Sequence, residues 1–247
     1  VSTARFRFIG KFKNSVSLQK KFRSKKKMQQ QLQIKMEEEG DKRKHEMELM
    51  NRIVEFREKE KRYSENLRLV SVFRKKFGIT HLDEKSSHMI FRNVSLISHL
   101  ESEYAIKIQE CVNMDMIEKS KMAEQILEMF SIVKKCTAEH LTRLSHPLIR
   151  YMSSQEDATE LLSGIKFRCR EFNRLLMSVS NEHNDLHGKT LESLLIMPVQ
   201  QSPRRSMQIR AIMKAFRKAY PTNSTRVLED ICTLIENFVS DCNNAIG

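Results

Sequence analysis

Residues 194–216 read LLIMPVQQSPRRSMQIRAIMKAF, and the way this stretch folds decides the reading of the whole chain. Apolar residues recur in it at helical spacing, yet Pro198 and Pro203 interrupt the run beside Arg204 and Arg205. Proline removes a backbone donor and its ring clashes with the preceding turn, at about 3 kcal/mol in a helix interior. A helix that carries two prolines next to clustered charge marks a site or a bend.

The flanking sequence is helical on both sides. A stripe of Met50, Val54, Tyr63, Leu67, Val70, Phe73 and Phe77 predicts a helix from Met47, with Gly78 as its C-terminal cap. Ile90, Val94, Ile97, Leu100, Tyr104, Ile108 and Val112 predict a second over 86–112. A third is predicted over 117–144, stopping before Pro147, with a helical turn at 147–153. A fourth spans 155–180, with Ala158, Leu161, Ile165, Cys169, Phe172, Leu176 and Val179 on one face. A polar turn follows at 181–188. A fifth helix starts near Lys189, passes through the proline stretch and ends before Pro221. The last covers 224–245, where Val227, Ile231, Leu234, Phe238 and Cys242 keep helical spacing. No strand alternation persists. The fold class is all-α, an elongated bundle of about six long helices.

Composition agrees with long helices and few connections. The 247 residues include only 6 glycines and 4 prolines, with abundant Lys, Glu, Met and Leu. No run approaches the roughly 18 uncharged apolar residues of a membrane span. The N-terminal stretch carries no apolar signal core, which predicts an intracellular, cytoplasmic protein. The five cysteines, 111, 136, 169, 232 and 242, form no CxxC pair and read as reduced thiols. The eight histidines, among them His81, His88 and His99, show no metal-ligand spacing, so neither a metal nor a cofactor is expected.

Charge divides the chain. Residues 1–45 hold 14 of the 44 basic and 4 of the 31 acidic residues, a net +10 of the total +13. The predicted domains are therefore a basic helical or flexible extension over 1–45 and a helical domain over 46–247. The near-neutral second part gives no reason to expect a nucleic-acid partner. Within the extension, 1–16 is polar and basic with Phe6, Phe8, Ile9 and Phe12, and 18–39 is charge-rich and helix-prone. Gly40 and Asp41 predict a break or a kink.

The proline stretch resembles the third conserved region of Dbl-homology domains, the exchange modules for Rho-family GTPases. Leu195, Ile196, Pro198, Val199, Gln200, Pro203 and Arg204 align with that region without a gap. NRIVEFREKEKRYSENLRLV, residues 51–70, resembles the first region, with Glu55, Glu60, Tyr63 and Leu67 in register. MIFRNVSLISHL, residues 89–100, resembles the second through Ile90, Phe91, Asn93, Val94, Ile97 and Leu100. Three regions in order cover 47–247. The chain departs from the family pattern at Met197, where Lys is usual, at Gln201, where Arg is usual, at Arg205, where Tyr is usual, and at Lys59, where Thr is common.

The resemblance implies a guanine-nucleotide exchange factor for a Rho/Rac/Cdc42-type GTPase, a regulator of cytoskeletal signalling that does no covalent chemistry. In such a domain Glu55 matches the carboxylate that engages switch I, and Arg204 matches a basic position that meets switch II. Asn243 matches an amide that contacts switch II, with Asn244 one residue away. Gln200 and Gln208 are further partner-binding candidates. Without the resemblance, Glu55 would read as a solvated carboxylate and Arg204 as a surface cation, while Tyr63 reads as core. The alternative is a helical scaffold that keeps the fold without exchange. Many relatives carry a pleckstrin-homology domain after the last helix, which would lie beyond Gly247.

In the extension, LQKKFRSKKKM (18–28) resembles a degenerate IQ segment, with Leu18, Gln19 and Arg23 in the corresponding places. It leaves several readings open: a solvated basic helix, a calmodulin-like partner, attraction to an anionic membrane, or autoinhibitory packing.

Overall fold

The computed structural model describes residues 2–77, 82–182 and 189–246, with side chains described from residue 27 onward except at 29, 30, 38, 116 and 180–182. The described residues form nine α-helices and two short 3-10 turns and contain no strand. These are α1 (Ser2–Phe77), α2 (Glu84–Ile90), α3 (Val94–Cys111), the turns Met114–Met116 and Lys119–Lys121, α4 (Met122–Met152), α5 (Gln155–Arg168), α6 (Arg170–Glu182), α7 (Leu191–Leu195), α8 (Met197–Ala219) and α9 (Arg226–Asn244). The all-α class expected from the sequence is what the chain adopts. Two compact units divide it, residues 1–47 and 48–247.

In the first unit the helix runs through Gly40, where a break was expected. An added Cβ there would meet nothing within 4 Å, and a solvated glycine inside a helix costs only about 1 kcal/mol. The IQ-like Leu18, Gln19 and Arg23 belong to α1, but their side chains lie outside those described. So does Gly78, the expected cap, together with His81 and most of the 181–188 turn.

The second unit is one core. From α1 it takes Leu49, Ile53, Phe56, Tyr63, Leu67, Val70, Phe73 and Phe77, all buried. The buried stripe thus sits one residue away from the Met50 and Val54 expected at its start. Fully burying such side chains stabilises by about 1.5–3 kcal/mol each. Helix α4 packs between α3 and α9, and α9 packs on α8. Phe77 of α1 meets Phe172 of α6 in a tilted ring contact, with centroids 5.0 Å apart.

Several expected helices are cut where the apolar stripe continues. The predicted 86–112 helix is broken at Asn93, which adopts φ 57 and sends its Nδ2 to the Pro147 carbonyl at 3.3 Å. Asparagine tolerates this left-handed conformation better than most residues. The predicted 155–180 helix is broken at Cys169, which is extended; its Sγ accepts from the Phe172 amide at 3.4 Å and its carbonyl from Asn173. Cys169 thereby caps α6.

At Pro147 the difference runs the other way. Helix α4 continues through it to Met152. The ring is buried, while Arg143, whose carbonyl loses its donor, lies on the exposed face.

The opening stretch resolves at Ile196, where α7 ends and α8 begins. Thr190 caps α7 by accepting from the Ser193 amide at 3.2 Å. Pro198 stands in the first turn of α8, where a missing amide costs nothing. Only Pro203 is interior, and it is exposed.

Candidate functional site

Helices α1 and α8 enclose a groove of about 490 Å³. Its floor is apolar, built from Phe56, Tyr63, Met197, Met207 and Ala211. Glu55, Arg204 and Gln208, three of the residues singled out in the sequence, line it together. They converge because α1 buries the Phe56 face and turns Glu55 to its border, and α8 buries Arg205 while leaving Arg204 exposed.

Both oxygens of Glu55 are engaged within its own helix. Lys59 Nζ lies 2.7 Å from one and Arg52 Nη1 3.0 Å from the other. Hydrogen bonds from Lys59 and then Arg52 hold its carboxyl below the ordinary range, so it is ionised at neutral pH. Arg204 donates through Nη2 to Gln200 Oε1 at 2.6 Å. That ties Gln200, half-buried, to the same edge. Asn243 and Asn244 are exposed in the last turn of α9, and no groove-lining residue comes from α9.

Beneath the groove lies a feature that the sequence reading missed. Arg205 is fully buried. It donates through Nε and Nη2 to the two oxygens of Glu60, at 2.9 and 2.7 Å, and through Nη2 to Glu101 at 2.9 Å. Its guanidinium lies over the Tyr104 ring, 4.4 Å from the centroid. Gln201 adds a bond to Glu60 at 3.1 Å, and His140 Nε2 lies 3.3 Å from Glu101. The guanidinium thus joins α1, α3 and α8, and Glu101 extends the network to α4 through His140. Burial pushes the Glu101 carboxyl up, but Arg205 and His140 outweigh it and hold the carboxyl at about 2.

A signal for this network was present. Glu60 falls between Phe56 and Tyr63 on the buried stripe of α1, and Glu101 is next to Leu100 on α3. A charge at a stripe position demands a buried partner. Gln201 and Arg205, two of the departures from the family pattern, are both buried and both bond Glu60, so they concern internal pairing. Met197 and Lys59, the other two departures, line the groove, as Gln201 also does.

Among the described residues no group of three His, Cys, Asp or Glu side chains could hold a metal ion, and no helix is long and apolar enough to cross a membrane. What the groove offers is a recessed face where charged side chains border apolar ones.

Residues 52–243 match the model of the RhoGEF domain family, and the chain belongs to that family. Solved structures share the fold. The Vav1 exchange factor matches with a TM-score of 0.58 at 16% identity, over 81% of this chain and 48% of that one. The DH/PH domains of p115-RhoGEF match with 0.59 at 14% identity, over 82% and 56%. PDZ-RhoGEF DH/PH domains in complex with activated RhoA match with 0.58 at 13%, over 82% and 54%. The chain thus spans about half the length of these structures. No curated protein matches its sequence.

Proposed function

We propose that this domain is a guanine-nucleotide exchange factor for a Rho/Rac/Cdc42-type GTPase. The observation that carries the reading is the groove in which Glu55 and Arg204 stand on facing helices of a RhoGEF-family domain. The partner class also has support from the solved relative bound to RhoA.

An exchange factor binds the nucleotide-free GTPase more tightly than the loaded one. Reciprocity then requires that it weaken nucleotide binding by the same factor. A several-thousand-fold effect needs about 5 kcal/mol of differential binding. Glu55 is the group suited to switch I: an ionised carboxylate on the border of an apolar groove accepts hydrogen bonds from backbone and side-chain donors. Arg204 offers switch II a planar fork for a carboxylate. Gln208 adds an amide to the same groove, and Gln200 orients Arg204. Asn243, with Asn244 beside it, would meet switch II at a second place, away from the groove.

The test is release of a fluorescent GDP analogue from a panel of Rho-family GTPases. Accelerated release from one or more members is the expected result. Stoichiometric binding to a GTPase without faster release would make the protein a scaffold with the exchange fold.

For residues 1–45 the supporting observation is charge, +10 in a helical segment. We assign them to a separate basic extension that binds a calmodulin-like protein or an anionic membrane surface. Deleting 1–45 should abolish sedimentation with phosphatidylserine vesicles and capture on calmodulin. The lipid binding should weaken with salt, since surface charge is screened over about 8 Å at physiological ionic strength. Either activity surviving the deletion unchanged removes it from the extension.

A further inference from the structure

Resting on the exchange reading, we infer that the groove selects its GTPase by charge: it is built for a partner edge that presents carboxylates around an apolar contact. Arg52, Lys59, Arg62 and Arg204 line the groove against a single carboxylate, Glu55. Against the family pattern the groove gains a cation at Lys59 and gives up one at Met197 and one at Gln201, so its basic groups are placed differently.

The pairing within the groove shows why the excess matters. In the free protein Arg52 and Lys59 share the single carboxylate of Glu55, which leaves the trio at +1. When Glu55 turns to donors on the GTPase, those two cations lose their counter-charge. Arg204 is held only by the neutral Gln200, and Arg62 is exposed and makes no ion pair among the described residues. Docking would therefore leave four cations to be answered from the partner side. A neutral or basic edge would desolvate them without compensation, which costs far more than a rim contact returns. Acidic groups answer them and also steer the encounter, because opposite potentials raise association rates at low salt.

The floor fixes the second requirement. Met207 is 68% exposed beside Phe56, Tyr63 and Met197. An apolar or aromatic side chain on the partner would cover it. A recessed groove with a carboxylate among its cations suits a protein edge better than a flat lipid surface.

Arg62 isolates the effect. It is exposed, unpaired and outside the Glu55 and Arg204 contacts, so its replacement leaves the fold and the exchange groups intact. The experiment uses the full chain with Rho-family GTPases carrying a fluorescent GDP analogue, at low and at physiological salt. Parental exchange should fall as salt rises. Arg62→Glu should lower it roughly ten-fold at low salt. Arg62→Gln should lower it less, both variants should show a weaker salt dependence, and their thermal melts should match the parent. If the parent exchanges nucleotide but Arg62→Glu does so equally well, the charge selection is overturned and the exchange reading stands. If the parent neither releases GDP from nor binds any GTPase, the exchange reading itself fails and this inference with it. Phosphatidylserine vesicles supply the remaining arm. Vesicle binding lost in Arg62→Glu with exchange unchanged would assign the rim to lipid and overturn the proposal.

Discussion

Replacing Arg205 with alanine should be among the most destabilising single substitutions the domain can suffer. The side chain is fully buried, and its loss leaves Glu60 and Glu101, both almost inaccessible, facing each other without their cation. Breaking a buried ion pair by removing one partner costs about 3–5 kcal/mol, because the remaining charge stays desolvated. In a domain of this size that lowers the melting temperature by roughly 10 °C. The cost comes from the stranded carboxylates, so it should disappear when they go too. Glu60→Met, Arg205→Met and Glu101→Leu combined should melt within a few degrees of the parent, since apolar replacement of a buried ion network is often neutral or stabilising. A triple variant as unstable as Arg205→Ala would show that the guanidinium acts through packing on Tyr104 instead.

The same network sets an acid limit. Glu101 is held at about 2, against an ordinary 4.5. A carboxyl whose folded pKa is depressed contributes stability that is present above its unfolded pKa and lost as pH falls through the folded one. The contribution here is about 3 kcal/mol, lost between about pH 4.5 and pH 2. Melts across that window should fall steeply for the parent and more gently for Arg205→Ala, in which the cation that depresses Glu101 is gone. Parallel slopes would mean that Arg205 does not set the ionisation of Glu101.

What the sequence revealed of this fold follows from what an apolar stripe records. The stripe reports which face is buried, and it found the core positions of α3 and α6, and Ile231, Phe238 and Cys242 among the six of α9. It does not report whether the backbone is continuous. Ile90, Val94 and Ile97 keep helical spacing across Asn93, and Ile165, Cys169 and Phe172 keep nearly the same spacing across the extended Cys169. Both breaks were therefore invisible. Gly40 and Pro147 failed in the opposite sense, because local breakers interrupt a helix only when nothing else holds it. The exposed members of the candidate site were legible through the resemblance, which names Glu55, Arg204 and Gln208 as partner-binding positions; the groove brings them together. The buried members were not, because Glu60 and Arg205 are 145 residues apart and their partnership exists only once α1 lies against α8. Arg205 was legible only as a departure from Tyr. With Gln201 one turn earlier in place of Arg, the pair keeps a cation facing Glu60 while moving it along the helix.

Glu55→Ala and Arg204→Ala should remove most of the exchange activity while leaving the fold nearly untouched. Both side chains are exposed, and substitutions at such positions typically change stability by within about 0.5 kcal/mol. The ion pairs lost with Glu55 are surface pairs within one helix, worth little on their own. In the proposed complex the balance differs, because truncating a desolvated charged contact costs about 2–5 kcal/mol of binding. That corresponds to a roughly thirty-fold or greater loss in exchange rate at limiting concentration. Asn243→Ala should be milder, since a neutral amide loses less and Asn244 stands beside it. GDP-release rates paired with thermal melts separate the roles. A Glu55→Ala domain that releases GDP as fast as the parent removes Glu55 from the switch contact, and one that melts much earlier makes it structural. Glu55→Gln sharpens the comparison, because an amide keeps one acceptor and the shape but gives up the charge. If charge holds switch I away from the nucleotide, Glu55→Gln should resemble alanine; if a single acceptor suffices, it should retain most of the activity. The Lys59 and Arg52 tethers lose their counter-charge equally in both variants, so the difference between the two reads the contact with the GTPase alone.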